Sequence, residues 1–354
     1  PVGGMSGQTF GQIRQHYSNE LLVNLAMRGF HVLRHWPDEV GYGDPGYVRM
    51  GYMLLVVEQQ LAALKRNIEL GQRLGVDTRF VASDDIKNIE PALATDDLAG
   101  GVYEPDGGYI DVTKMVLSWL GAASGRGLEL RCGLRVEAIE TSNGRVSGVC
   151  TTHGRIHSPL VINATGAWAR DLLSPLGIEV PVERRRLDTA YMRQPPNRAQ
   201  IGTCITDGNS NVVIRPHMGR EILVAAYPAQ MPLVDDPLAP EPPKDQAAHR
   251  GRIAAALAER LPDFQDAILT RTVSGAYDVT PDFHPILGWA PGIEGLYLAV
   301  GFSGHGLKLS PGIGECVASA VLDKPMPFDI TALRFERFAE HEPMFLAYGP
   351  SARA

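Results

Sequence analysis

A glycine-rich stretch near the C-terminus constrains the fold of this 354-residue chain more than any other part of its sequence. An apolar run at 296–300 leads into Gly-Phe-Ser-Gly-His-Gly at 301–306. This is followed by Lys308, Pro311 and apolar residues at helical spacing from 313 to 321. The order predicts a strand, a glycine loop and a helix with Pro311 in its first turn, where a proline's missing N–H needs no helical partner. Because glycine lets backbone approach a ligand and a helix start favours negative charge, the stretch predicts a ligand site beside the cation of Lys308.

Three other segments belong with this stretch. Residues 278–288 precede it with Asp-Val-Thr-Pro-Asp-Phe-His-Pro-Ile-Leu-Gly. Residues 161–168 read as a strand that ends in an Ala-Thr-Gly turn, and residues 6–18 form an early loop that contains Arg14. Taken in order along the chain, these segments resemble the flavin motifs of the FAD-dependent amine oxidoreductases, the family of D-amino acid oxidase and sarcosine oxidase.

The resemblance implies an α/β plus β fold. A FAD/NAD(P)-binding Rossmann-like domain, N-terminally incomplete, is expected beside a discontinuous antiparallel-sheet substrate domain. The implied FAD-binding parts are residues 1–36, 104–180 and 277–327, the substrate parts are residues 37–103 and 181–276, and residues 328–354 form a C-terminal tail. The N-terminal incompleteness is expected because no Gly-x-Gly-x-x-Gly fingerprint, the cradle of the FAD pyrophosphate, follows a strand in this chain.

Hydrophobic periodicity predicts the remaining elements. Predicted helices cover residues 20–36, 59–74, 112–124 and 246–260. Predicted strands cover residues 47–57, 128–131, 134–141, 146–152, 160–163, 187–193, 211–215, 221–227 and 269–276. Residues 228–243, rich in proline and aspartate, predict a long surface loop or lid. The tail beyond Pro327, which contains Phe335, Phe338 and Phe345, is expected to pack across the surface.

The implied cofactor is FAD, bound without a covalent link, because Gly275 stands where the sarcosine oxidase branch has its flavin-linking cysteine. The resemblance implies cofactor contacts at Ser6, Gly7, Gln8, Val136, Ala164, Thr165, Gly166, Trp168, Gly275, Gly301, Gly304, His305, Gly306, Leu307 and Lys308. The four cysteines have no metal-type spacing, so no metal site is predicted.

The implied reaction is oxidation of the C–N bond of a secondary amine or amino acid, sarcosine-like or a D-amino acid, by hydride transfer to flavin N5. The resemblance assigns catalytic roles to Arg14, Lys308, Tyr277 and His305, with Arg14 and Lys308 holding the substrate carboxylate. Residue type alone leaves other roles open: Arg14 as a solvated surface residue, Lys308 as a loop cap, Tyr277 as a buried structural residue and His305 as a shaper of the glycine loop. Weaker candidates for the same pocket are His16, Tyr17, Tyr227 and Arg215.

Composition bears on partners and location. A net charge of −7 argues against a nucleic-acid partner. No apolar run approaches the ~20 residues of a membrane span. The scattered cysteines favour a reducing, cytoplasmic compartment. The electron acceptor is expected to be oxygen or another protein. Slow reaction with oxygen is predicted, because residues 211–227 lack the lysine that activates oxygen in the sarcosine oxidase branch.

Two other functions remain open at this stage. The missing fingerprint fits an incomplete or non-catalytic flavoprotein subunit that needs a partner chain to complete the FAD site. Oxidation of a modified base on RNA occurs in relatives of this fold, but the acidic charge disfavours it.

Overall fold

The computed structural model describes residues 2–228, 231–237, 246–344 and 347–348. Its helices in these residues are α1 (Glu20–Arg34), α2 (Trp36–Glu39), α3 (Glu58–Arg73), α4 (Ser83–Ile89), α5 (Val112–Ser124), α6 (Ala169–Leu173), α7 (Gln246–Arg260) and α8 (Gly306–Val321). Its strands are β1 (Gln12–Ile13), β2 (Tyr47–Arg49), β3 (Tyr52–Val56), β4 (Arg79–Ala82), β5 (Gly100–Glu104), β6 (Gly108–Ile110), β7 (Val136–Ser142), β8 (Arg145–Thr151), β9 (Gly154–His157), β10 (Val161–Asn163), β11 (Glu183–Arg193), β12 (Cys204–Asp207), β13 (Val212–Pro216), β14 (Glu221–Ala226), β15 (Ile268–Val279), β16 (Ile286–Trp289) and β17 (Leu296–Val300). Within the described ranges, no helix combines the length and apolar character needed to cross a membrane.

The largest sheet has eight strands in the order β15-β11-β14-β13-β12-β3-β5-β4. Its neighbours pair antiparallel, except β12 and β3, which run parallel. Because side chains alternate along a strand, Ala190 and Met192 face a core that includes residues of α7. Tyr191, between them, packs on the opposite face with Phe10 and Tyr277. The sheet therefore has a rear layer under α7 and a front layer that meets the early loop.

A three-stranded sheet carries the glycine loop. β10 and β17 run parallel, and β16 pairs antiparallel with β17. Behind this sheet α1 and α8 approach each other closely at two glycines. A Cβ on Gly29 would lie 2.1 Å from the carbonyl oxygen of Lys308, and a Cβ on Gly312 would lie 2.9 Å from Cδ2 of Leu25. Glycine at these positions therefore sets how the first turn of α8 lies on α1.

Two small antiparallel sheets, β1-β6-β2 and β7-β8-β9, complete the sheets of the described residues. The predicted α/β plus β class is confirmed, because parallel strands with helices occur beside the large, mainly antiparallel sheet. The six-segment domain division stays a prediction. The large sheet takes its strands from residues within 52–104 and 183–279, and residues 104 and 277–279 of these belong to the predicted FAD-binding parts.

Several predicted elements differ from the structure. Residues 128–131 form no strand, and Leu128 and Leu130 are 47% and 49% exposed, so no sheet buries them. The predicted strand at 47–57 is two strands separated at Gly51, whose φ of 78° is left-handed. The predicted helix at 20–36 ends at Arg34, and a separate short helix, α2, begins at Trp36 with Pro37 in its first turn, where a proline's missing N–H needs no helical partner. The strands β1, β4, β5, β6, β9, β12 and β16 and the short helices α4 and α6 were not predicted.

The helix after the glycine loop begins earlier than the sequence indicated. Pro311 lies inside α8, not in its first turn, because the helix starts at Gly306. Proline has no N–H to donate to the carbonyl of Leu307 four residues before it. The hydroxyl of Ser310 donates to that carbonyl instead, at 2.9 Å, so the acceptor is satisfied without the proline.

The C-terminal tail is tied into the fold rather than laid over its surface. Phe335 and Phe338 pack against the core that contains residues of β16 and β17, and Arg337 is fully buried. Residues 229–230 and 238–243 of the predicted loop or lid, with Lys244 and Phe345, lie outside the described residues.

Candidate active site

The glycine loop between β17 and α8 requires glycine at two positions. Gly301 has φ 73°, and a Cβ there would lie 2.5 Å from the Thr280 methyl group. Gly304 has φ 87°, and a Cβ there would lie 3.1 Å from the ring of Tyr277. Both the left-handed backbone and the lack of space exclude other side chains. The loop therefore brings backbone against Tyr277 and delivers His305 and Lys308 to the start of α8.

Asp278 anchors this loop, and sequence reasoning did not single it out. Its Oδ2 accepts the N–H of Phe302 at 3.0 Å, and its carbonyl accepts the N–H of Ser303 at 3.1 Å. Burial raises the pKa of this carboxyl to about 6, although the N–H donors of the loop oppose the shift. The available signal was its place in the sequence, an acidic residue inside the apolar end of β15.

A large cavity of about 1,740 Å³ opens beside the loop. The residues of the predicted cofactor set that line it are Ser6, Val136, Ala164, Thr165, Gly166, Trp168, Gly304, Gly306 and Leu307, and Tyr277 lines it too. Six of the predicted contacts do not: Gly7, Gln8, Gly275, Gly301, His305 and Lys308. Gln8 instead packs behind the cavity, where a Cβ on Gly275 would lie 3.2 Å from its Cβ. The cavity thus gathers contacts from four separate parts of the chain.

The walls of the large cavity fit an extended nucleotide cofactor. Asn163 fixes the Ala-Thr-Gly turn by accepting from the N–H and hydroxyl of Thr165, at 3.1 and 2.6 Å. Gly166 has φ 53°, and a Cβ there would lie 2.6 Å from the Met5 methyl group. Small residues therefore keep this wall open. The volume of the large cavity exceeds the roughly 300–1,000 Å³ of most ligand pockets. A dinucleotide is larger than most ligands and needs a cavity of this size.

A small cavity of about 90 Å³ adjoins the large one and shares Thr9, Tyr277 and Gly304 with it. It is lined by the four predicted catalytic residues: Arg14, Tyr277, His305 and Lys308. Tyr227, a weaker candidate, lines it as well. The structure therefore brings together side chains that stand up to 294 positions apart in the sequence, the separation of Arg14 and Lys308.

Arg14 lies in the loop after β1 and is buried, not solvated. Its guanidinium packs 4.4 Å from the centroid of the Tyr17 ring, and Nη1 donates to the carbonyl of His16. Behind it, Glu104 accepts the N–H of Gln15 at 2.7 Å. Burial raises the pKa of Glu104 to about 7. Because arginine stays protonated in proteins, the loop holds a fixed positive charge at the cavity.

Lys308 supplies a second cation from the first turn of α8. Its side chain is buried, and Nζ lies 5.9 Å from the centroid of the same Tyr17 ring. Among the described residues it makes no hydrogen bond or ion pair. Burial, and then the nearby charge of Arg14, lower the pKa of Lys308 well below its usual value. An ammonium so placed gains most from an anion that enters the cavity.

His305 and Tyr277 shape the walls of the small cavity. His305 Nδ1 lies 3.2 Å from the hydroxyl of Tyr17, whose pKa is raised by burial. The hydroxyls of Tyr277 and Tyr227 lie 3.5 Å apart. Tyr17 thus lies beside Arg14, Lys308 and His305. Its position in the site is more central than its place among the weaker candidates indicated.

Three of the weaker candidates, Tyr17, Arg215 and His16, do not line the small cavity. Arg215 donates to the carbonyl of Phe10 at 2.6 Å and packs 4.2 Å from the ring centroid of Tyr109. His16 bonds through Nε2 to the Tyr348 hydroxyl at 2.7 Å. Arg215 and His16 therefore have structural partners of their own, and Phe10, the partner of Arg215, lines the small cavity.

The charges around the small cavity favour an anion. Asp207 is the only acidic side chain among the described residues that line it. Its Oδ2 accepts from Nε of Arg260 at 2.7 Å, and both side chains are fully buried; the same guanidinium also donates to Asp97 at 3.0 Å. The guanidinium of Arg14 and the buried amine of Lys308 therefore favour a negative group in this cavity.

Comparisons with known proteins agree with this geometry. A family model described as FAD dependent oxidoreductase matches residues 1–320. Human mitochondrial sarcosine dehydrogenase is 27% identical over 355 residues, covering 95% of this chain and 38% of that protein. The 4-methylaminobutanoate oxidase (formaldehyde-forming) of Paenarthrobacter nicotinovorans is 26% identical over 288 residues, covering 77% of this chain and 34% of that protein.

A solved structure has the same fold. The crystal structure of L-proline dehydrogenase from P. horikoshii superposes with a TM-score of 0.87 at 23% identity, covering 96% of this chain and 89% of the other. The chain spans less than two fifths of the length of the two curated relatives above. The family match nevertheless extends over most of its own residues, and this chain belongs to the FAD dependent oxidoreductase family.

Proposed function

We propose that this chain, with FAD, oxidises a small secondary amine that carries a carboxylate, with an N-substituted glycine as the simplest example. The observation that carries the proposal is the buried Lys308 ammonium, which has no hydrogen-bond or ion-pair partner in the described residues, beside Arg14 in a cavity of about 90 Å³. Two cations suit one carboxylate, and the small volume suits a small molecule.

The names of two relatives support the substrate class. Sarcosine and 4-methylaminobutanoate, which appear in those names, are both N-methylated amino acids with a free carboxylate. A carboxylate held by Arg14 and Lys308 would direct the amine toward Tyr277 and Gly304, the residues shared with the large cavity. Orientation of this kind lowers the barrier by holding the reacting atoms in place.

Different residues would bind the cofactor and shape the substrate cavity. Bound FAD supplies a hydride acceptor, so that the C–N bond becomes an imine that water hydrolyses. The Ala-Thr-Gly turn, Trp168 and the start of α8 would hold it in the large cavity. His305 and Tyr17, whose Nδ1 and hydroxyl lie 3.2 Å apart, would keep the substrate side of the loop in shape.

We propose oxygen or another protein as the electron acceptor, with slow reaction toward oxygen. The supporting observation is that, within the described part of the chain, no lysine other than Lys308 lines either the large or the small cavity. Mixing reduced enzyme with oxygenated buffer in a stopped-flow instrument tests this. Rapid reoxidation would refute slow oxygen reactivity.

A second candidate is a chain that needs a partner to complete its FAD site. The exposure of Ile162, 42% on the outer strand β10 beside the large cavity, favours it. Gel filtration after incubation with FAD distinguishes the two. A protein fraction that keeps the yellow colour supports the self-sufficient enzyme, whereas a colourless fraction supports the partner-dependent one.

The carboxylate site is tested by acetate titration of the FAD-bound chain, followed by the flavin absorbance. Lys308→Met and Arg14→Ala should each weaken acetate binding by roughly 1.5–3 kcal/mol, the worth of a hydrogen bond to a charged group. Lys87→Met, an exposed lysine of α4 that lines neither cavity, is the matched control. Unchanged acetate affinity in both site variants would refute the carboxylate site.

A further inference from the structure

A third cavity, which we call the rear cavity, lies on the other face of the eight-stranded sheet. Its volume is about 490 Å³. Ala190 and Met192 of β11 form its floor, and Ile253, Ala254 and Leu257 of α7 form one wall. The small cavity is lined by Val213, which packs on the opposite face of the sheet. The two cavities are therefore separated by the sheet itself.

Two polar residues that line the rear cavity, His249 and Arg250, are neighbours in the first turns of α7. His249 lines it, is only 4% exposed, and its Nε2 has no hydrogen-bond partner in the described part of the chain. A buried imidazole nitrogen without a partner is costly, and a ligand that supplies one relieves that cost. Arg250, the next residue, is exposed and also lines the cavity.

The remaining lining fixes the chemistry of a ligand. Arg250 is the only lining residue with a permanent charge among those described, and no acidic side chain is present. The other lining residues, apart from His249 and Gln265, are alanine, methionine, isoleucine, leucine and phenylalanine. The volume falls within the roughly 300–1,000 Å³ of small-molecule sites. An apolar body with one anionic end matches this arrangement.

We propose that the rear cavity binds an amphipathic monocarboxylate, such as a medium-chain fatty acid, with the carboxylate at Arg250 and His249. The hydrocarbon chain lies between β11 and α7. This site is independent of the amine oxidation proposed above, and nothing in that reaction requires it.

Isothermal titration of the full chain with octanoate tests the proposal, with octan-1-ol as the neutral probe of the same length. Ala254→Phe fills the rear cavity and should weaken octanoate binding by about tenfold or more. Ala255→Phe is the matched control, because Ala255 is also exposed on α7 but does not line the cavity. Arg250→Gln should weaken octanoate binding and leave octan-1-ol binding unchanged.

Octanoate is itself a carboxylate, so Lys308→Met separates the two sites. Binding that persists in Lys308→Met and is lost in Ala254→Phe supports the rear cavity. Binding that is lost in Lys308→Met, binding that is equal in the two alanine variants, or no saturable binding to the wild-type chain would each overturn it. These outcomes leave the proposed oxidation unaffected, since its test is the acetate titration.

Discussion

At the scale of single residues, the burial of Lys308 affects its charge and therefore makes its binding properties depend on pH. Its ammonium is buried beside a guanidinium, so in the unliganded site its pKa is lowered. A bound carboxylate stabilises the charged form and raises that pKa again. Carboxylate binding at this residue is therefore coupled to protonation.

The affinity for acetate should depend on pH in one direction. Below the lowered pKa of Lys308 the lysine is already charged and the affinity is constant. As the pH rises through that pKa, binding must take up a proton, so the affinity falls by about tenfold per pH unit until the pKa of the complex is reached. Acetate titrations across the pH range measure this slope. Lys308→Met should remove it, and a slope that persists in the variant would contradict the assignment.

Single residues of the site differ in how well the sequence predicts them. Arg14 and Lys308 stand inside motifs, so the resemblance identified their positions. Asp278 and Glu104 act through backbone N–H groups of other segments, such as Gln15, which is 89 residues from Glu104. Contacts of this kind depend on how distant segments pack, and no local pattern records them.

At the level of elements, the crossing of α1 and α8 positions Lys308 in the proposed substrate site. Gly29 of α1 touches the backbone carbonyl of Lys308 directly, so the helices cannot separate without moving the lysine. Hydrophobic periodicity predicted both helices but not the contact between them. A glycine inside a helix can be present for several reasons, so its presence alone does not indicate a helix crossing. The start of α8 was predicted too late in the sequence because Pro311 was expected in the first turn. Inside the helix, the hydroxyl of Ser310 replaces the hydrogen bond that Pro311 cannot donate.

Gly29→Ala should therefore affect both stability and binding. The added Cβ would lie 2.1 Å from a backbone oxygen, so α8 must shift, at a cost of roughly 1–3 kcal/mol in the free energy of unfolding. Acetate affinity should fall with it, as Lys308 moves.

Gly251→Ala is the control for this substitution. Gly251 is exposed on α7 and an added Cβ meets nothing within 4 Å, so the change should stabilise the chain by roughly 0.5–1 kcal/mol. Denaturant unfolding and acetate titration measure the two effects. Wild-type acetate affinity in Gly29→Ala would show that the crossing does not position Lys308.

At the level of the whole molecule, the C-terminal tail is bound to residues 278–288, one of the segments that resemble a flavin motif. Arg337 donates to both carboxylate oxygens of Asp282, at 2.8 and 3.0 Å, and to the carbonyl of His284 at 2.9 Å. Both charged side chains are buried. The sequence predicted a tail on the surface because its charges suggested solvent, whereas this arginine is paired inside the protein.

Breaking this pair should destabilise the chain strongly. Arg337→Met leaves the Asp282 carboxylate buried without its partner, which costs about 3–5 kcal/mol. The double variant Arg337→Met/Asp282→Asn removes the buried charge and should recover part of the loss. Denaturant unfolding of the three proteins measures this, and a double variant less stable than Arg337→Met would argue against a buried-charge penalty.

The fold class was predictable because it rests on motifs and periodicity, which are local properties of the chain. The order of the eight strands and the pairing of β12 with β3 were not, since they arise from long-range packing. The same distinction applies to the three cavities, whose walls come from segments far apart in the sequence.

The central claim is that a carboxylate-bearing secondary amine reduces flavin held in the large cavity. The most direct measurement is the visible absorbance of the FAD-bound chain after anaerobic addition of N-methylglycine. The flavin should bleach at a rate that saturates with amine concentration, and Lys308→Met should need far more amine for the same rate. A chain that keeps its bound FAD and shows no bleaching with N-methylglycine, other N-methylated amino acids or D-amino acids would contradict the account.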